Sequence, residues 1–169
     1  MKKIISIVIL AVFQTINCFG QSLFQVAIGG TSVEWAESII QTTDGGYAVA
    51  GWTESFGAGG RDVWLIRMDS SGNELWNSTF GKSDAAEARS VKQTDDGGYI
   101  MAGYVDGGVW LIKTDYKGNK MWDKFFIGRS DYEQEGGTVQ QTNDGGYIIG
   151  MNKYSSDTGG DIWLIKVAR

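Results

Sequence analysis

Apolar and polar residues alternate along most of the chain in short runs separated by glycine-rich clusters, a pattern of period two that predicts β-strands and turns. The runs recur. Gln41-Thr42-Thr43-Asp44-Gly45-Gly46-Tyr47 returns as QTDDGGY at Gln93–Tyr99 and as QTNDGGY at Gln141–Tyr147, with spacings of 52 and 48 residues. A second motif follows each copy: Trp64-Leu65-Ile66-Arg67, Trp110-Leu111-Ile112-Lys113 and Trp163-Leu164-Ile165-Lys166. A third follows the first two, Asp69 to Trp76 (DSSGNELW) matching Asp115 to Trp122 (DYKGNKMW). Three motifs in a fixed order at a period near fifty are the mark of an internal repeat.

Each repeat predicts four strands. In the first they are Ser38–Thr43, Tyr47–Thr53, Asp62–Met68 and Glu74–Phe80. Asp44-Gly45-Gly46 reads as a two-residue hairpin, because glycine takes the positive φ such turns need. Along Asp62–Met68, Val63 and Leu65 face one way and Trp64 and Ile66 the other. A strand apolar on both faces has to be covered on both faces. Four antiparallel strands in about fifty residues, stacked side by side, have the dimensions of a β-propeller blade, so the expected fold is all-β, with three four-stranded antiparallel blades. Leu23–Gly29 matches Leu75–Gly81, so the first strand is a fourth strand standing alone, while Trp163–Arg169 is a third strand with no fourth after it. The expectation is that the first strand completes the last blade.

Three blades are fewer than the roughly four to eight of closed propellers. Two arrangements answer this: a homodimer pooling six blades, in which the first strand pairs either within its chain or across to its partner, or a shortened relative of a longer repeat protein.

The first twenty residues obey a different pattern. Met1-Lys2-Lys3 is basic, Ile4–Phe13 is apolar, and Cys18-Phe19-Gly20 sets small residues at a cleavage site, so 1–20 reads as a secretory signal peptide and 21–169 as the repeat domain. The apolar run is about half the ~20 residues of a membrane span. A lipid anchor on Cys18 is the alternative, though Thr15-Ile16-Asn17 lacks the residues that precede a lipidated cysteine. Cleavage after Gly20 removes the single cysteine and two lysines, which takes the formal charge from −5 to −7. An acidic chain without a basic run is not expected to bind nucleic acid or an anionic membrane.

The chain has no histidine, and so lacks the commonest general base and metal ligand. Asp44, Asp96 and Asp144, with Asp69 and Asp115, recur at the turns. Their spacing does not match a calcium loop and fits Asx-turn capping, so no metal and no cofactor are expected. Glu34, Glu37, Asp84, Glu87, Asp131, Glu133 and Glu135 fall on predicted loops but single out no acid–base pair, and no serine lies in a nucleophile elbow. The expectation is a protein that is not an enzyme.

The pattern GG-x-D-V/I-W-L-I-K, then D-x-x-G-N-x-x-W, then D-G-G-Y-I-x-x-G, over Leu23–Arg169, resembles the SBBP-type β-propeller repeat of secreted bacterial proteins. The resemblance implies an exported binding or scaffolding module, of lectin-like character or related to polysaccharide-degrading enzymes. Its ligand site would lie on the rim formed by the loops Glu54–Arg61, Asp106–Gly108 and Asn152–Gly160 and by Gly30–Glu37, Lys82–Arg89 and Arg129–Gly137, since these vary between repeats. Trp35, Trp52, Phe56, Arg61, Tyr104 and Tyr132 stand there as candidate ligand contacts, to a polysaccharide or to another protein. The recurring Trp64, Trp110, Trp163, Trp76 and Trp122 are expected to pack between blades.

Overall fold

The computed structural model describes residues 24–81, 85–105, 107–127, 137–155 and 159–168. Eleven strands form three antiparallel sheets, and no helix occurs among the described residues. Sheet I comprises β1 (Glu34–Gln41), β2 (Tyr47–Thr53), β3 (Asp62–Met68) and β4 (Glu74–Phe80), in that order. Sheet II repeats it with β5 (Ala86–Gln93), β6 (Tyr99–Val105), β7 (Gly108–Thr114) and β8 (Lys120–Ile127). Sheet III has three strands, β9 (Thr138–Gln141), β10 (Tyr147–Ser155) and β11 (Gly159–Val167), with β10 central.

The turn that closes β1 on β2 holds three residues, not two. Thr42 N–H donates to Gly46 O at 2.8 Å and Gly45 N–H to Thr42 O at 2.9 Å, with Gly45 at φ 84°. A type I turn followed by a left-handed glycine explains why the motif needs glycine at its fifth position. Asp44 Oδ1 caps it, accepting from the Thr42 hydroxyl at 2.6 Å and the Gly46 N–H at 3.2 Å. The β3–β4 turn is built the same way around Asp69, whose Oδ1 accepts from Ser71 and Asn73 N–H at 2.8 and 2.9 Å. The turn aspartates thus serve as backbone caps.

The sheets stack face to face. Ala48, Ala50, Val63 and Leu65 of sheet I meet Ala88, Val91, Tyr99, Met101, Trp110 and Ile112 of sheet II in one core. Ile100, Ala102, Val109 and Leu111, on the opposite face of sheet II, meet Val139, Tyr147, Ile149 and Met151 of sheet III in another. The alternating inward and outward residues of β3 and β7 therefore serve two interfaces at once, and both strands are buried from end to end. Along the first strands the sheets are also tied by hydrogen bonds: Thr43 N–H to Gln93 Oε1 at 2.9 Å, Asp95 N–H to Gln141 Oε1 at 3.0 Å, Val91 N–H to Ser38 Oγ at 3.2 Å and Val139 N–H to Ser90 Oγ at 3.3 Å.

Two expectations are corrected here. Residues 24–30 do not complete sheet III. Phe24, Val26 and Ile28 pack on the outer face of sheet I, against Trp64, Ile66 and Met68, and sheet III has three strands among the described residues. In addition, β1 starts at Glu34, so Trp35 and Glu37 belong to a strand and not to a loop; Glu87 does likewise in β5. A bulge between Ala36 and Ser38, repeated between Ala88 and Ser90, breaks the alternation that would have marked these strands from their first residue.

Candidate functional site

The early start of β1 creates the most distinctive surface feature. Trp35 lies directly across from Trp52 in the β1–β2 register. Cross-strand neighbours lie ~4.5–5.5 Å apart at Cβ, close enough for two indoles to stack. The rings are 6.4 Å apart at their centroids and within 5° of parallel. Trp52 is buried, whereas Trp35 is 58% exposed. The Arg61 guanidinium lies over the Trp52 ring at 4.4 Å from its centroid, within the range of cation–π attraction.

Arg61 also begins a chain of charges that spans two sheets. Its Nη1 donates to Glu87 Oε1 at 2.7 Å and its Nε to Glu54 Oε1 at 3.4 Å. Arg89 Nη2 donates to Glu87 Oε2 at 2.7 Å and Arg89 Nη1 to Glu37 Oε1 at 2.8 Å. Hydrogen bonds from Arg61 to Glu87, then to Glu54, raise the guanidinium above its ordinary range, so it stays charged. Each carboxylate in this chain is engaged by an arginine, which fixes the rim side chains in place.

The loop 54–61 that delivers Arg61 is pinned at both ends. Thr53 Oγ1 accepts from Ser55 and Phe56 N–H at 3.0 and 3.3 Å, and the buried Asp62 Oδ2 accepts from Ala58 and Gly59 N–H at 2.7 and 3.3 Å. Gly57, at φ 105°, lies so close to the Asp62 carboxylate that a Cβ would collide with it. Phe56 turns inward and packs against Trp64, 5.4 Å between centroids, as a cap on the core.

Trp35, Trp52 and Arg61 are thus brought together, and Phe56 lies next to Trp64. Tyr104 is half-buried and stands across from Glu87 in sheet II, where Trp52 stands across from Trp35 in sheet I. Tyr132 lies outside the described residues, as do residues 1–23, which hold Cys18 and the segment expected to be a signal peptide. The Arg61–Glu87–Arg89–Glu37 chain was not singled out from sequence. Its signal was the pairing of Glu87 with Arg89 just before a recurring Ser-Val/Ile step.

A groove of about 560 Å³ opens on the outer face of sheet I and reaches Trp35, with Phe24, Val26, Ile28, Ile39 and Trp64 among its other lining residues. Among the described residues, no three Asp, Glu, His or Cys side chains converge as a metal site would require. No protein-family model matches the chain, and no curated protein matches it.

Proposed function

We propose that the chain is an exported, non-catalytic binding module built of β-propeller repeats, with carbohydrate as its ligand class and the rim at Trp35, Trp52 and Arg61 as its contact. Three sheets of one repeat, stacked with their first strands β1, β5 and β9 adjacent, support the propeller reading. The observation that carries the ligand reading is the exposed Trp35 ring, stacked on a buried Trp52 over whose ring Arg61 also lies. A flat apolar ring held rigidly beside charged donors suits the apolar face and hydroxyl edge of a sugar. The basic leader and apolar run at 1–20 support export.

The test is calorimetric titration of soluble β-glucan, xylan and chitin oligosaccharides into the wild-type chain and into Trp35→Ala. Trp35 is mostly exposed, so its removal leaves the core in place. Binding that weakens at least about tenfold in the variant supports the proposal. Equal binding by both proteins, or none by the wild type, removes it, and release of new reducing ends would show an enzyme instead.

A further inference from the structure

The two ends of the stack of sheets are unlike its middle. At one end, β11 exposes Ile162 (80%) and Leu164 (65%). The same positions hold Val63 and Leu65 in β3 and Val109 and Leu111 in β7, all at 1% exposure or less. At the other end, Ile39 is 65% exposed beside the groove on sheet I, although its counterparts Val91 and Val139 are fully buried. Each end carries one half of an interface that the chain forms twice within itself, between sheets I and II and between sheets II and III.

Residues 24–30 show how the halves meet. Phe24 lies 5.7 Å from Tyr47, as Trp76 lies 5.8 Å from Tyr99 and Trp122 lies 5.7 Å from Tyr147. A Cβ on Gly72 would strike Phe24, just as one on Gly118 would strike Trp76. The segment therefore occupies, against sheet I, the place that β4 occupies against sheet II. It takes the place of a fourth strand without pairing to a third, and β11 pairs only with β10 among the described residues. The polar groups match in the same way. Gln41 and the Ile39 N–H at one end correspond to Gln93 and Val91, and Asn143 and Thr138 at the other correspond to Thr43 and Ser38, the groups that hydrogen-bond between sheets.

We infer that β11 of one copy adds along residues 24–28 of a second copy, so that Ile162 and Leu164 close the groove on its sheet I. The inference rests on the propeller reading and names a partner for it: a second copy of this chain. The occupant cannot be the same copy's own third sheet, because a ring of three blades falls below the roughly four to eight that close. Two copies supply six blades and three copies supply nine, so the ring that fits is a dimer joined at both ends, with neither end face of the stack left uncovered. The internal repeats set the register. Leu65 faces Ser78 and Leu111 faces Lys124, so Leu164 faces Val26 of the second copy; Val63 faces Phe80, so Ile162 faces Ile28.

Light scattering during size-exclusion chromatography of the full chain, expressed with its own N-terminus, tests this. The wild type should elute at twice its chain mass at about 100 µM protein. Leu164→Lys, at a site already exposed in one copy, should weaken association by at least about 100-fold while leaving the far-ultraviolet dichroism unchanged. In a Cys18→Ser background, Val26→Cys with Leu164→Cys should form covalent dimers on oxidation, whereas Val26→Cys with Tyr116→Cys should not. A wild type that stays monomeric, a dimer that survives Leu164→Lys, or a cysteine pair that fails to cross-link overturns the inference. None of these readouts depends on sugar binding, so the ligand proposal can fail without it, and it without the ligand proposal.

Discussion

Strands β7 and β11 carry almost the same sequence, Gly-Val-Trp-Leu-Ile-Lys in one and Asp-Ile-Trp-Leu-Ile-Lys in the other, and they meet opposite fates. Val109 and Leu111 are fully buried, whereas Ile162 and Leu164 are among the most exposed large apolar side chains of the described chain. Both strands pair with a preceding strand in the same register, Leu111 with Ala102 and Leu164 with Gly150. The difference lies outside the strand, in whether another sheet covers its face. In a stack of repeats the local sequence fixes the strand and its two faces, while burial is decided by the neighbour.

The sharpest way to break this comparison is to truncate the same leucine in each strand. Leu111→Ala should cost about 2–5 kcal/mol, because it opens a cavity between two sheets. Leu164→Ala should change stability by less than about 0.5 kcal/mol at dilutions where the chain is a single copy, since its side chain already meets water. Urea unfolding of the two variants reads both values. Equal costs would mean that β11 is covered after all, and the comparison would collapse.

The strands β2, β3 and β4 were legible because alternation and turn residues are local, and the structure places them on the residues the spacing indicated. The two-faced burial of β3 followed from the same pattern. The first half of β1 was hidden because Glu34-Trp35-Ala36-Glu37 mixes polar and apolar residues across a bulge. The unexpectedly early start of β1 also concealed the Trp35–Trp52 stack: both residues were visible as candidates, but their direct opposition depends on a register that extends β1 back to Glu34. The match of Leu23–Gly29 to β4 predicted a strand, whereas residues 24–30 form none and only pack where a fourth strand would, against the outer face of sheet I. It could not say which neighbour the segment would have, because strand pairing between distant residues leaves no local trace.

A second contrast lies at the bulges. Gly51 and Gly103 occupy the same position in β2 and β6, and a Cβ at either would run into the bulge carbonyl, of Trp35 or of Glu87. In β10 that position is Met151. Glycine thus accompanies the close approach at both bulges of the described residues. Gly103→Ala should destabilise by about 1–3 kcal/mol, as overpacking against backbone does, and should flatten the bulge. Amide hydrogen exchange over residues 86–90 is the measurement to make. Protection unchanged from wild type would show that the bulge does not need the glycine.

The smallest effect separates the ion pairs that recur behind each β1–β2-type turn: Arg67 with Asp44, Lys113 with Asp96, and Lys166 with Asp144. The Lys113 side chain is 3% exposed and that of Lys166 is 44% exposed, again because sheet III has no sheet beyond it. Burial pushes the Asp96 carboxyl up, but the Thr94 hydroxyl, the Lys113 ammonium and the Gly98 N–H outweigh it and hold the group at about 2. A carboxyl whose pKa falls on folding stabilises the fold above its unfolded value, near 4, and loses that contribution as pH falls toward 2. Asp96→Asn should therefore cost about 1 kcal/mol at neutral pH, a figure that allows for solvent screening of a carboxylate whose side chain is 55% exposed. The gap between wild type and variant should close between pH 4 and about 2. Asp144→Asn should shift the unfolding midpoint less than Asp96→Asn does, because the Lys166 ammonium, the Thr142 hydroxyl and the Gly146 N–H hold that carboxyl low at a site that water screens. Thermal unfolding of the three proteins across that pH range decides the matter: a gap for Asp96→Asn that persists well below pH 2 would mean that the cost does not come from the carboxylate's charge.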